Sequence, residues 1–121
     1  MGPVVLMYHI PESKASVIAA LCEKLSVRAI SVPPARHGCT IGAALRQDGP
    51  DRPARHPFSD EMLVLQLPGI LMDFFLQGLQ REGVDVALKA AVTPTNVSWT
   101  ADALVRELHR ERQEFLRRGA K

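Results

Sequence analysis

Two cysteines, Cys22 and Cys39, in 121 residues are too few for a disulfide scaffold. No segment approaches the roughly 20 consecutive apolar residues that a membrane helix needs. The opening MGPVVLMYHI has no basic region, long apolar core or cleavage signal, so it reads as the first strand of a mature protein. Nor does one sign of charge dominate: Lys and Arg number 15 against 13 Asp and Glu, a formal +2 with the signs interspersed. That balance gives no pull towards nucleic acid or an acidic membrane. The composition therefore predicts a single reduced, soluble, cytoplasmic domain over residues 1–121.

Catalytic signatures are also missing. There is no G-x-S-x-G elbow, no G-x-G-x-x-G turn and no P-loop lysine. His37-Gly38-Cys39 offers two metal ligands, with His9, Cys22, His56 or His109 to complete a set. Zinc sites pair ligands at short spacing, and no second pair exists, so no metal or cofactor is expected. The carboxylates are scattered over loops and helix faces. No catalytic residue is assigned, and the balance leans away from an enzyme.

What is present is a repeated plan. VVLMYHI (4–10) reads as a strand, 14–26 as a helix capped by Ser13, and 27–32 as a strand stopped by Pro33-Pro34. Residues 35–60 form an irregular insert, with a short helical turn near 40–47 capped by Thr40. Its Pro- and Gly-rich stretch at about 48–57 reads as an exposed, mobile loop. The plan then recurs: a strand at 61–67, a helix at 69–82 closed by Gly83, an alternating strand at 84–93 and a last helix near 100–118. The simplest closure is an α+β fold of ferredoxin-like type. It comprises a split βαβ repeat, a four-stranded sheet with the first and third strands central, the insert and an extra C-terminal helix.

The first and third strands are apolar on both faces, so the second sheet face needs cover from the last helix, the insert or another subunit. A homodimer joined through that face is expected. The last helix is expected to set Leu104, Val105, Leu108 and Phe115 against the core. Its Glu107, Glu111 and Glu114 interrupt the arginines, which argues against a phosphate-tracking surface.

One stretch, LKAAVTPTNVSWT (88–100), gathers the candidate ligand residues Lys89, Thr93, Thr95, Asn96, Trp99 and Thr100. A helix N-terminus offers free N–H groups, and a lysine and hydroxyls beside it would make a pocket for a small anion. The same residue types serve a turn, a cap and a core plug for purely local reasons, and that reading weighs more.

Glu61-Met62-Leu63-Val64, Leu88-Lys89-Ala90, Thr93, Thr95-Asn96 and Trp99-Thr100 together resemble a family of small bacterial proteins known only as a domain of unknown function, with an L-K-A-V-L-T-x-T-N-x-x-W-T pattern. The resemblance covers about residues 58–114 well and the first 46 in outline. Ala91-Val92 and Leu67-Pro68-Gly69 depart from its pattern. It implies a bacterial cytoplasmic protein without an established activity. The expected function is a non-enzymatic ligand-sensing or protein-interaction module. The alternative is a small enzyme or anion-binding protein built on Lys89, Thr93, Asn96 and Trp99.

Overall fold

Val4, Val5, Leu6, Met7 and Tyr8 are buried one after another, so the first strand has no solvent face. The computed structural model describes residues 2–119. Its elements run β1 (Val4–Tyr8), α1 (Glu12–Lys24), β2 (Arg28–Ser31), a 3-10 turn (Pro34–Arg36), α2 (Ile41–Arg46), β3 (Met62–Gln66), α3 (Gly69–Arg81), β4 (Leu88–Ala91), a second 3-10 turn (Asn96–Ser98) and α4 (Ala101–Gly119). The sheet order is β2-β1-β3-β4. β1 and β3 pair antiparallel at the centre, with Leu6 opposite Val64, while β2 and β4 pair parallel outside them.

This is an α+β fold with an open, mixed four-stranded sheet, consistent with a ferredoxin-like arrangement. The central strands are the two expected, but the edge strands are exchanged relative to the usual ferredoxin-like order, and each βαβ unit stays unsplit. The cause lies in the connection 32–61. A short hairpin would force β2 against β3, whereas this insert lets β2 remain beside β1.

Each sheet face carries its own helices. Ile18, Leu21 and Cys22 of α1 and Phe75 and Leu79 of α3 pack on Val5, Met7, Leu63 and Leu65. Ile41, Ala44 and Leu45 of α2 and Ala101, Leu104 and Val105 of α4 pack on Val4, Leu6, Tyr8, Met62 and Val64. The chain thus covers both faces itself, which removes the sheet face as a surface for a second subunit. Phe115 does not join the core as expected and is 73 % exposed. The 19-residue α4 is roughly 28 Å long, more than the short strands can underlie, so its last turns overhang.

The two βαβ units obey an internal two-fold relation. Thr40 and Thr100 pair as an antiparallel bridge, and each caps the helix that follows it: Ala43 N–H donates to Thr40 Oγ1 at 3.1 Å, and Ala103 N–H to Thr100 Oγ1 at 3.4 Å. Backbone bonds repeat in step. Val32 N–H reaches the Met7 carbonyl as Val92 N–H reaches that of Leu65, and Cys39 N–H binds Arg36 as Trp99 N–H binds Asn96. Pro11 and Pro68 hold the N-cap positions of α1 and α3. Pro11, not Ser13, therefore opens α1. Ser26 and Gly83 follow the two helices with φ of 58° and 70°. The units differ in length at two places: His9, with φ of 54°, is inserted where β1 leaves for α1, and residues 85–87 are inserted between α3 and β4. Tyr8 thus corresponds to Gln66, Ile10 to Leu67, His37 to Val97 and Gly42 to Asp102.

The alternating strand expected over 84–93 pairs only at Leu88–Ala91. Residues 84–87 are used to cross from α3. Val84 and Val86 pack on the α1–α3 side, and Leu88 and Ala90 on the other.

Residues 48–57 form an exposed strap without regular structure, tied at discrete points. Arg36 donates to the Asp48 and Gly49 carbonyls and pairs with Asp51. Gly38 N–H donates to the Arg52 carbonyl at 2.7 Å. A Cβ on Gly38 would lie 2.2 Å from the Pro53 carbonyl oxygen. Only glycine admits this approach. Limited proteolysis is expected to cut first within 48–57. Gly38→Ala should speed that cut and lower stability by about 1–3 kcal/mol, as overpacking does. Unchanged cleavage in Gly38→Ala would show that the strap does not depend on this contact.

Candidate functional site

β1 ends on Tyr8, whose ring is buried in the core while its hydroxyl has no hydrogen-bond partner among the described residues. Around it stand aromatic rings from three other segments. His37 lies 5.2 Å from Tyr8 by ring centroids, and Phe58 stacks on His37 at 5.1 Å with a 16° interplanar angle. His9 meets both His37 and Phe58 edge-on, at 4.8 and 5.3 Å. The left-handed backbone at His9 turns the chain out of β1 at the point where this ring enters the group. Nε2–H of His37 donates to the Val32 carbonyl at 2.9 Å, which fixes the tautomer.

Asp102, in the first turn of α4, is buried beside this group. Its Oδ2 accepts the His56 backbone N–H at 3.1 Å, and its Oδ1 has no partner among the described residues. Burial opposes ionisation of Asp102. The Thr100 hydroxyl and the backbone N–H groups of His56 and Asp102 outweigh it and hold the carboxyl below its usual range. Burial raises the Tyr8 phenol well above its ordinary value, with the Cys39 thiol adding and Arg36 opposing. For His37, burial lowers the pKa and the His9 charge adds to that, against the Val32 bond and Asp102. At neutral pH the group is a neutral phenol, a neutral imidazole and a carboxylate, closed over by Phe58 and the strap. Tyr8, His37 and Asp102 are buried, while the His9 side chain is exposed at the edge of the group.

The residues singled out from sequence do not converge. Lys89 donates to the Val86 carbonyl at 2.9 Å and lines a cavity of about 450 Å³ on the α3 side, with Leu76, Gln80 and Asp85. Asn96 belongs to the turn: its Oδ1 accepts Thr93 N–H, its Nδ2 donates to the Ala91 carbonyl, and its own N–H donates to Thr93 Oγ1. Thr95 is exposed and its carbonyl accepts the Ser98 hydroxyl. Half-buried Trp99 packs on the α2–α4 core, and its carbonyl accepts Ile41 N–H at 2.8 Å. Thr100 is the cap. Lys89 and Asn96 therefore share no pocket: Lys89 lies at the start of β4 on the α3 side, and Asn96 lies in the turn beyond the end of that strand.

A cavity of about 600 Å³, open to solvent, lies at the C-terminal ends of β3 and β4. Gln66, Leu67, Ala91, Val92, Thr93 and Val97 line it, and no acid, base, thiol or phenol is among its described lining residues. Of the six candidates only Thr93 reaches it. Cys39 Sγ contacts the Pro50 carbonyl and His109 pairs with Asp60. Among the described residues no three His, Cys, Asp or Glu side chains lie together as a metal-ligand set.

Sequence reasoning weighed His9, His37 and His56 only as metal ligands and passed over Tyr8, Phe58 and Asp102. Two signals were there. Tyr8 is a phenol closing a strand that is apolar on both faces, and Asp102 stands two residues after the Thr100 cap.

Residues 62–115 match the sequence model of a family described as a domain of unknown function, DUF3783. The matched stretch holds β3, α3, β4, the second 3-10 turn and most of α4, which is one of the two related units. No curated protein and no solved structure matches the chain.

Asn96→Ala is expected to cost about 1–3 kcal/mol, since it strands buried backbone groups. With Lys89→Met, phosphate should leave thermal stability unchanged in both parent and variant; phosphate stabilisation of the parent alone would restore an anion role for Lys89. A lowered pKa means that folded His37 resists the proton which the unfolded chain accepts near its ordinary value of about 6.5. Stability should therefore be full above that pH and fall as pH drops below it. Denaturant midpoints at pH 7.5 and 5.5 are expected to differ more in the parent than in His37→Gln; equal differences would mean His37 carries no such linkage.

Proposed function

We propose that this protein is a binding module, a sensor of a small ligand or a docking domain for another protein, and not an enzyme. It is assigned to the cytoplasm of a bacterium. The observation that carries the reading is the split between chemistry and access. The open cavity holds no titratable side chain among its described lining residues, while Tyr8, His37 and Asp102 are buried. Pockets with apolar walls and few polar groups fit recognition. Two further observations agree. No described helix is long and apolar enough to cross a membrane. Arg110 and Arg118 are engaged by Glu107 and Glu114 on the same helix, which weighs against a phosphate-tracking stripe.

Self-association is part of the reading, moved from the sheet face to α3. Ile70 and Phe74 lie one turn apart and are 69 % and 52 % exposed. Sedimentation at tens of micromolar should show a dimer that Phe74→Glu converts to a monomer; a monomeric parent removes the dimer. For binding, a set of small apolar and aromatic compounds should shift the backbone amides of Leu67, Val92 and Val97 in heteronuclear NMR spectra. Shifts confined to Tyr8 and His37, or chemical turnover of any compound, would contradict a binding role for the open cavity.

A further inference from the structure

We propose that the open cavity at the ends of β3 and β4 accepts an aromatic side chain carried on an extended segment of a partner polypeptide. The inference rests on the binding reading above and names the occupant. The argument comes from the internal two-fold. At the equivalent end of the first unit the chain fills the corresponding place itself, with Phe58. That ring is stacked on His37, 5.3 Å from His9 and 6.4 Å from Tyr8. It arrives on an irregular, extended approach that Arg36, Gly38 and Asp102 hold by hydrogen bonds.

The two-fold carries Tyr8 to Gln66, Ile10 to Leu67 and His37 to Val97, and all three counterparts line the open cavity. No described residue stands there as Phe58 does in the first unit. The described walls are the Gln66 amide, the Thr93 hydroxyl, aliphatic and proline side chains and backbone, which suit the face of an aromatic ring, and no charged side chain is among them. At about 600 Å³ the space exceeds one ring and leaves room for the residues on either side of it.

The difference between the two ends sets the specificity. Phe58 is locked by the His56 N–H bond to Asp102, and the two-fold counterpart of Asp102 is Gly42, which has no side chain to accept a bond. The second end therefore lacks the latch. Binding there is reversible and driven by ring burial, as a docking site requires, while the first end is a permanent closure.

The chain's own residues 52–60 provide the probe: a synthetic peptide of that sequence, added to the intact protein and followed by NMR. Saturable shifts of the Leu67, Val92 and Val97 amides are expected. Affinity should fall at least tenfold when the peptide carries Phe58→Ala, and at least tenfold when the protein carries Ala91→Trp, an exposed position whose new ring fills the cavity. Three results overturn the proposal: no shifts up to millimolar peptide, equal binding of the two peptides, or shifts confined to Tyr8 and His37. Phenylalanine amide is the discriminating arm. If it binds the cavity as tightly as the peptide does, the occupant is a small aromatic molecule, the polypeptide proposal fails, and the binding-module reading stands. If neither binds, both fail.

Discussion

The antiparallel pairing of β1 with β3 governs the rest of the molecule. Both strands are apolar on both faces, so the sheet has no side it can show to water. Two helices per face follow from that demand. The short α2 and the first turns of α4 answer it on one side, and α1 and α3 on the other. Remove either layer and residues such as Leu6 or Leu63 lose their cover. The cost scales with apolar area at roughly 25 cal/mol per Å².

That central ladder also relates the two units. Each is a strand, a helix, a parallel strand, a tight turn and a threonine-capped helix. The paired Thr40 and Thr100 stand where the two units meet. The match to a family of unknown function covers only the second unit. Its counterpart, residues 2–47, has the same backbone bonds but different side chains at the functional end. Tyr8, His37 and Phe58 make a closed aromatic group where Gln66, Leu67 and Val97 leave a cavity. One architecture thus supplies one sealed end and one open end.

Much of the backbone was legible because local rules determine it. Thr40 and Thr100 cap as their positions predict, and Gly83 takes the left-handed value that ends a helix. The order of the edge strands was not legible, because the length of a connection permits a topology without choosing it. Nor was the end of β4: Val84 and Val86 alternate with polar residues as strand residues do, yet only pairing partners decide where a ladder stops. The Lys89–Thr100 segment showed its residue types but not their directions. Lys89 and Asn96 are spent on the carbonyls of Val86 and Ala91, facts that depend on two separate turns. Phe58 could not be read at all as part of a site, because it lies distant in sequence from Tyr8 and reaches it only through the strap.

The insert between the halves has a consequence for how the molecule holds together. It is the only covalent link between two units whose central strands bury each other. Each unit alone would expose one edge of its central strand along with its apolar faces. The chain is in effect a heterodimer whose subunits are tethered, and the tether keeps their mutual concentration high enough that dissociation is not a separate event. Cutting it would turn an intramolecular fold into a bimolecular association, so that stability would come to depend on protein concentration.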